Sequence, residues 1–187
     1  MAELEKEAGS SRPGCGRVFL KGRVLAVPGL GAQLLFWSFA VAGTALDLWS
    51  KWAVFRWLRE DEGGSVSLID GFLRFVMALN NGAAFNIAAG RSSLLIAVSF
   101  IALAVILGLF FFGGSKQKLI HIAMAFFTAG ICGNLYDRIF NDGLVRDFID
   151  VYYGQYHWPA FNVADSMLCV GVGLLLISSF LSSKKSS

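Results

Sequence analysis

The residues able to do chemistry in this chain stand within or at the edges of apolar stretches, at spacings that share faces. Asp47 and Lys51 are four apart, which places both on one side of a helix. Asn134, Asp137 and Arg138 follow at i, i+3 and i+4, and Asn162 and Asp165 are three apart. Between the last two groups runs Leu144-Val145-Arg146-Asp147-Phe148-Ile149-Asp150. An ionisable group inside an apolar run costs about 2.5–3.5 kcal/mol on insertion scales, so it needs a partner or a task. Two carboxylates held together share one proton. The ionised member can then take a proton from water, and the protonated member can give one to a carbonyl oxygen. The amides Asn80, Asn134 and Asn162 suit a hydrogen-bonded frame around such acids. Spacing alone leaves alternatives open. Asp47–Lys51 reads equally well as an ion pair for helix packing, and Asp150 stands as close to the candidate site as Asp147. Arg146 is expected to lower the pKa of Asp147 if the side chains meet.

Asn80-Asn81-Gly82-Ala83-Ala84-Phe85 adds a second feature. Small residues there let another backbone approach closely, as an extended peptide requires. Taken alone, the stretch reads more simply as close packing against a helix. His157-Trp158 with Tyr152, Tyr153 and Tyr156 reads as an aromatic belt at a membrane surface, with His157 an anchor rather than a base.

Composition names the solvent of these elements. Of 187 residues 56% are hydrophobic and 16% charged, against about 25% charged in soluble domains. Four apolar runs, 34–58, 94–112, 119–135 and 163–181, approach the ~20 residues that cross ~30 Å of hydrocarbon as a helix. The first continues well past the 7–15-residue core of a signal peptide, so it is read as retained. Lys6, Arg12, Arg17, Lys21 and Arg23 precede it, Lys116 and Lys118 lie between the second and third runs, and Lys184 and Lys185 follow the fourth. The positive-inside rule therefore puts both termini in the cytoplasm and segments 59–93 and 136–162 outside. The basic residues serve orientation, so no nucleic acid is expected. Residues 1–32 read as a loosely ordered cytoplasmic tail, 33–182 as one membrane domain and 183–187 as a second cytoplasmic tail. Ser65-Val66-Ser67-Leu68-Ile69 and Phe72-Leu73-Arg74-Phe75-Val76 alternate like short strands. Cys15, Cys132 and Cys169 make no disulfide framework, and the distant His121 and His157 make no zinc site.

Taken in order, these blocks resemble the bacterial lipoprotein signal peptidases, or signal peptidase II. The matching stretches are Asp47-Leu48-Trp49-Ser50-Lys51, then residues 80–85, Gly133-Asn134-Leu135-Tyr136-Asp137-Arg138 with Val145 to Asp150, and Trp158 to Ser166. The resemblance implies four transmembrane helices with a small extracytoplasmic β-cradle and an outer loop. It implies an aspartic endopeptidase without metal or cofactor, with Asp147 and Asp165 as the catalytic pair. Asp47, Lys51, Asn80, Gly82, Asn134, Asp137, Arg138 and Asn162 would support the pair or contact substrate. The implied substrate is a diacylglyceryl-modified prolipoprotein cut before its lipidated cysteine. The enzyme would be a monomer among membrane lipids, in the bacterial inner membrane, with its site at the extracytoplasmic face. Arg146 stands where the family usually has an apolar residue, Asn86 where serine is common, and Ser50 where threonine is common. A small proton-coupled transporter or channel is the rival from another class, and a non-catalytic assembly factor a second. A transporter would place its ionisable residues along a path near the bilayer midplane, often between repeats.

Overall fold

The computed structural model describes residues 17–20, 23–60, 64–82 and 88–184. In chain order they form β1 (Arg17–Leu20), β2 (Arg23–Ala26), α1 (Leu30–Glu60), β3 (Ser65–Ile69), β4 (Leu73–Asn80), α2 (Ser92–Phe112), α3 (Lys118–Phe140), β5 (Val145–Tyr153), β6 (Tyr156–His157) and α4 (Val163–Ser183). All four helices are long and apolar enough to cross a membrane. At 1.5 Å per residue α1 is about 46 Å long, more than the hydrocarbon is thick. Its last turns carry Arg56 and Glu60, paired at 3.5 Å on the exposed surface.

Half of the apolar stretch of α3 is buried inside the protein, against 6% of that of α2. The third helix is therefore the axis of the bundle, and the second is given mainly to lipid. Small residues let the axis pack closely, because lipid offers no hydrophobic drive and helices must gain from contact instead. Gly43 lies against Ala129 and Met167, and Gly130 against the Ala164 carbonyl. Gly133 lies against the Asp47 carboxylate, where a methyl group would collide with it. One core cluster joins Phe36, Ala40, Phe110 and Ala125, with the Phe36 and Phe110 rings stacked at 4.0 Å. A second joins Val54, Phe55 and Leu58 of α1 to Phe148 of β5, seating the sheet on the end of the helix.

The sheet is antiparallel in the order β3-β4-β5-β6. Ala78 pairs with Asp147 and Asn80 with Val145, after a register shift between Phe75 and Ala78. Beyond β6 the chain turns back, and Phe161 pairs with Ile149. The Phe161 carbonyl accepts from Phe148 and Ile149 N–H at 3.0 and 2.8 Å, and its own N–H donates to the Ile149 carbonyl at 3.0 Å. This bridge puts the first turn of α4 beside β5.

The four spans and the first two strands of the sheet match the sequence reading, with wider limits at most ends. Three points differ. The 1–32 tail contains the β1–β2 hairpin, in which Arg17 pairs with Ala26 and Leu20 with Arg23, and α1 already begins at Leu30. The alternation of Val18 and Leu20 with basic neighbours had a strand period that the charge obscured. Residues 145–153, read as part of an outer loop, form the longest strand of the sheet. The tail residues 1–16, Ala83 to Asn86 and Lys185 lie outside the described residues.

Candidate active site

The site is built on the cap of α4. Asn162 is the N-cap: its Oδ1 accepts from Asp165 N–H at 3.0 Å, and the Asp165 carboxylate accepts from Asn162 N–H at 3.1 Å. This reciprocal box satisfies two otherwise orphaned donors of the helix end. It also orients Asp165. The same Asn162 side chain donates from Nδ2 to Asp147 Oδ1 at 2.6 Å and to Asn134 Oδ1 at 3.1 Å. Asn80 Nδ2 donates to the other Asp147 oxygen at 2.9 Å. Asn134 Nδ2 donates to Asp165 Oδ1 at 2.8 Å. Each carboxylate is thus gripped by neutral amides rather than by a cation. Both open onto one cavity of about 1060 Å³ at the sheet end of the bundle.

Behind the amides lies a charged frame. Lys51 Nζ is 2.8 Å from Asp47, 2.9 Å from Asn134 Oδ1 and 3.5 Å from Asp137, with no solvent exposure at Lys51, Asp47 or Asp137. The second Asp47 oxygen accepts from Ala164 N–H at 2.8 Å, tying α1 to the start of α4. Asp137 also accepts from the Arg146 guanidinium at 2.5 Å and from Arg146 N–H at 2.9 Å. Arg138 donates to the Gly82 carbonyl at 2.9 Å, and Gly82 N–H donates to Asn80 Oδ1 at 2.9 Å. The end of β4 is thereby fixed to α3. All ten residues singled out from the sequence take part in this one connected network.

Arg146 does not act as its position suggested. Its side chain meets Asp137, because successive strand residues point to opposite sides, while Asp147 turns to the cavity. Burial is the main influence on Asp147, opposed by the Asn80 hydrogen bond and reinforced by the Asp165 charge, and it pushes the carboxyl up to about 6. Asp150 separates from the pair altogether. Despite burial, hydrogen bonds from Arg74 and His157 hold its carboxyl below the usual range. It is not among the residues lining the cavity. His157, read as a belt anchor, is 42% exposed and lies 3.1 Å from Asp150.

The sequence reading gave Arg74 no role, and it quoted Trp158 to Ser166 only as a matching stretch, without the cavity wall that residues 158–161 form with Ser166, Leu168 and Cys169. The wall was legible only as a motif of unknown geometry. Arg74 carries no signal without the strand register that sets it opposite Asp150.

The described family of signal peptidase (SPase) II matches residues 39–181. A lipoprotein signal peptidase of Rhodopirellula baltica is 42% identical over 159 residues, covering 78% of this chain and 71% of the relative. That of Bacillus pumilus is 36% identical over 152 residues, covering 81% and 96%. A solved bacterial membrane enzyme obtained by the in meso method superposes with a TM-score of 0.71 at 29% identity, over 84% of this chain and 93% of the other. The match reaches into all four spans and takes in every amide and carboxylate of the network, and the chain belongs to the signal peptidase II family.

Proposed function

We propose that this membrane peptidase is of the aspartic type and removes signal peptides from diacylglyceryl-modified prolipoproteins by cleaving before the lipidated cysteine. The observation that carries the reading is the pairing of Asp147 and Asp165, each held by amides and both open to one cavity. Asp147, raised to about 6, suits the member that keeps the shared proton and donates it to the scissile carbonyl oxygen. Asp165 then accepts a proton from the attacking water, and the two exchange roles as the amine leaves. The pair titrates as a unit, so this is one microstate of a coupled system. The cavity is lined by apolar groups such as Leu79, Val145 and Leu168 beside the polar network, which suits a substrate anchored by acyl chains. The ionisable groups gather at one end of the bundle, which does not favour a transporter or channel.

The purified protein is expected to cleave a lipidated precursor peptide at the bond before the modified cysteine. A precursor with that cysteine changed to serine cannot be lipidated and should remain intact. Equal cleavage of both would make the enzyme a broader peptidase and sink the substrate reading.

The same reading places the enzyme as a monomer in the inner membrane, with the site at the extracytoplasmic face and both termini in the cytoplasm. The basic residues Lys116, Lys118 and Lys184 support it. They lie at the end of the bundle opposite the sheet, where Gln117 bonds Ser182 at 3.0 Å. A reporter fused after Lys185 should read cytoplasmic and one inserted at Gly64 extracytoplasmic. Finding the two on one side would remove this orientation.

A further inference from the structure

Residues 158–161 form a strap that lines the cavity, and its two ends are held very differently. At the far end Phe161 exchanges three backbone hydrogen bonds with Phe148 and Ile149. At the near end the strap hangs from β6, a strand of two residues whose pairs are Tyr152 with His157 and Tyr153 with Tyr156. So short a ladder is marginal by itself. Trp158 N–H adds one bond to the Val151 carbonyl at 2.9 Å. Tyr153 and Tyr156 are more than four-fifths exposed and add little packing.

Side chains supply what the ladder lacks. Asp150, 7% exposed in its side chain, accepts from Arg74 Nε of β4 at 2.6 Å and sits 3.1 Å from His157 Nδ1 of β6. The His157 ring stacks on Tyr152 at 5.4 Å, and the Arg74 guanidinium lies 5.1 Å from the centroid of the same Tyr152 ring. The Tyr152 hydroxyl in turn accepts from Gly71 N–H at 3.2 Å. Three strands are thus joined through the buried Asp150 carboxylate, and its partner His157 is the residue just before the strap. None of these groups lines the cavity.

We propose that Arg74, Asp150 and His157 form a clasp that sets the position of the cavity wall, and through it the affinity for the lipidated peptide. They are positioning residues: they touch the strap's anchor, not the reacting atoms. This inference rests on the peptidase reading above. With the clasp open, the strap drifts while Asp147 and Asp165 keep their amides, because Asn80, Asn134 and Asn162 lie outside the clasp. The loss therefore falls on substrate engagement and not on the chemical step.

In cleavage of a lipidated precursor peptide, His157→Ala and Asp150→Asn should each raise KM about tenfold, the worth of one charge-assisted hydrogen bond. The kcat of each should stay within about twofold, the pattern of lost uniform binding. Arg74→Ala combined with Asp150→Asn should be little worse than Asp150→Asn alone, since both act through one carboxylate. A covalent replacement tests the role directly. Tyr152 and His157 are cross-strand partners, at a separation suited to a disulfide. Tyr152→Cys with His157→Cys should show raised KM when reduced and near wild-type KM when oxidised, with each single cysteine variant insensitive to oxidant. Unchanged KM in His157→Ala and Asp150→Asn overturns the clasp, as does a fall in kcat with KM unmoved. A wild-type enzyme that leaves the lipidated precursor uncut overturns the peptidase reading itself, which no clasp variant can do.

Discussion

Asp147→Asn and Asp165→Asn each remove most turnover of a lipidated precursor while the protein stays folded in the membrane. Asparagine preserves shape and most hydrogen bonding but can neither take up the proton of water nor carry the shared one. Loss of general acid–base catalysis is worth roughly 10²–10⁴-fold, and more when the group works as part of a unit. The double variant should therefore be little worse than either single one. Asp150→Asn retains kcat, because its carboxylate faces Arg74 and His157 instead of the cavity. The pH profile supplies a second readout. On the proposed mechanism the pair holds one proton when active, so activity requires a pH below the higher of its two apparent pKa values. With Asp147 raised to about 6, kcat/KM of the free enzyme falls as pH rises through about 6. A kcat/KM profile flat from pH 5 to 8, or near-normal turnover in Asp147→Asn, would leave the pair without a chemical role.

Much of this site could be read from the chain before any coordinates, for a physical reason. In lipid a buried ion or amide is too costly to be incidental, so each one inside an apolar run marks a contact. Helical spacing then sorts them onto faces, which is why Asp47 with Lys51 and Asn162 with Asp165 were legible as pairs. What spacing cannot supply is the register of a sheet. Residues 145–153 carry their acids three apart, at 147 and 150, and Val145, Asp147, Phe148 and Asp150 are all buried, on both faces of the strand, so no two-residue alternation marks it in the sequence. Without that strand, Arg146 appeared to face Asp147 and Asp150 to rival it. One residue of displacement along a strand reverses the facing side. It sends Arg146 to Asp137, while the pairing of β4 with β5 sets Asp150 beside Arg74. The bond between Asn162 and Asp147 depends in turn on the bridge from Phe161 to Ile149, a contact no local pattern announces.

Lys51→Met should cost the protein much of its stability. The ammonium is completely buried, 2.8 Å from Asp47 and 3.5 Å from Asp137. Methionine fills similar volume, so the loss is not one of packing. Among the described residues it leaves Asp47 with the Ala164 N–H alone for compensation, since Asp137 keeps Arg146 but Asp47 has no second cation there. Removing one partner of a buried pair costs about 3–5 kcal/mol, most of it the penalty of the stranded charge. A second effect reaches the site. Lys51 donates to Asn134 Oδ1, and that bond helps to hold the Asn134 amide with its NH₂ toward Asp165. Neutralising the stranded acid separates the two effects. Lys51→Met with Asp47→Asn should recover a large part of the lost stability, because neither group is then charged, yet turnover should stay low while Asn134 keeps only the longer bond from Asn162 and lacks that from Lys51. Thermal unfolding in detergent and cleavage of the lipidated precursor measure the two independently. A Lys51→Met variant as stable as the wild type would show that Asp47 is neutral in the folded protein. Full turnover in the double variant would show that Asn134 is oriented by Asn162 alone.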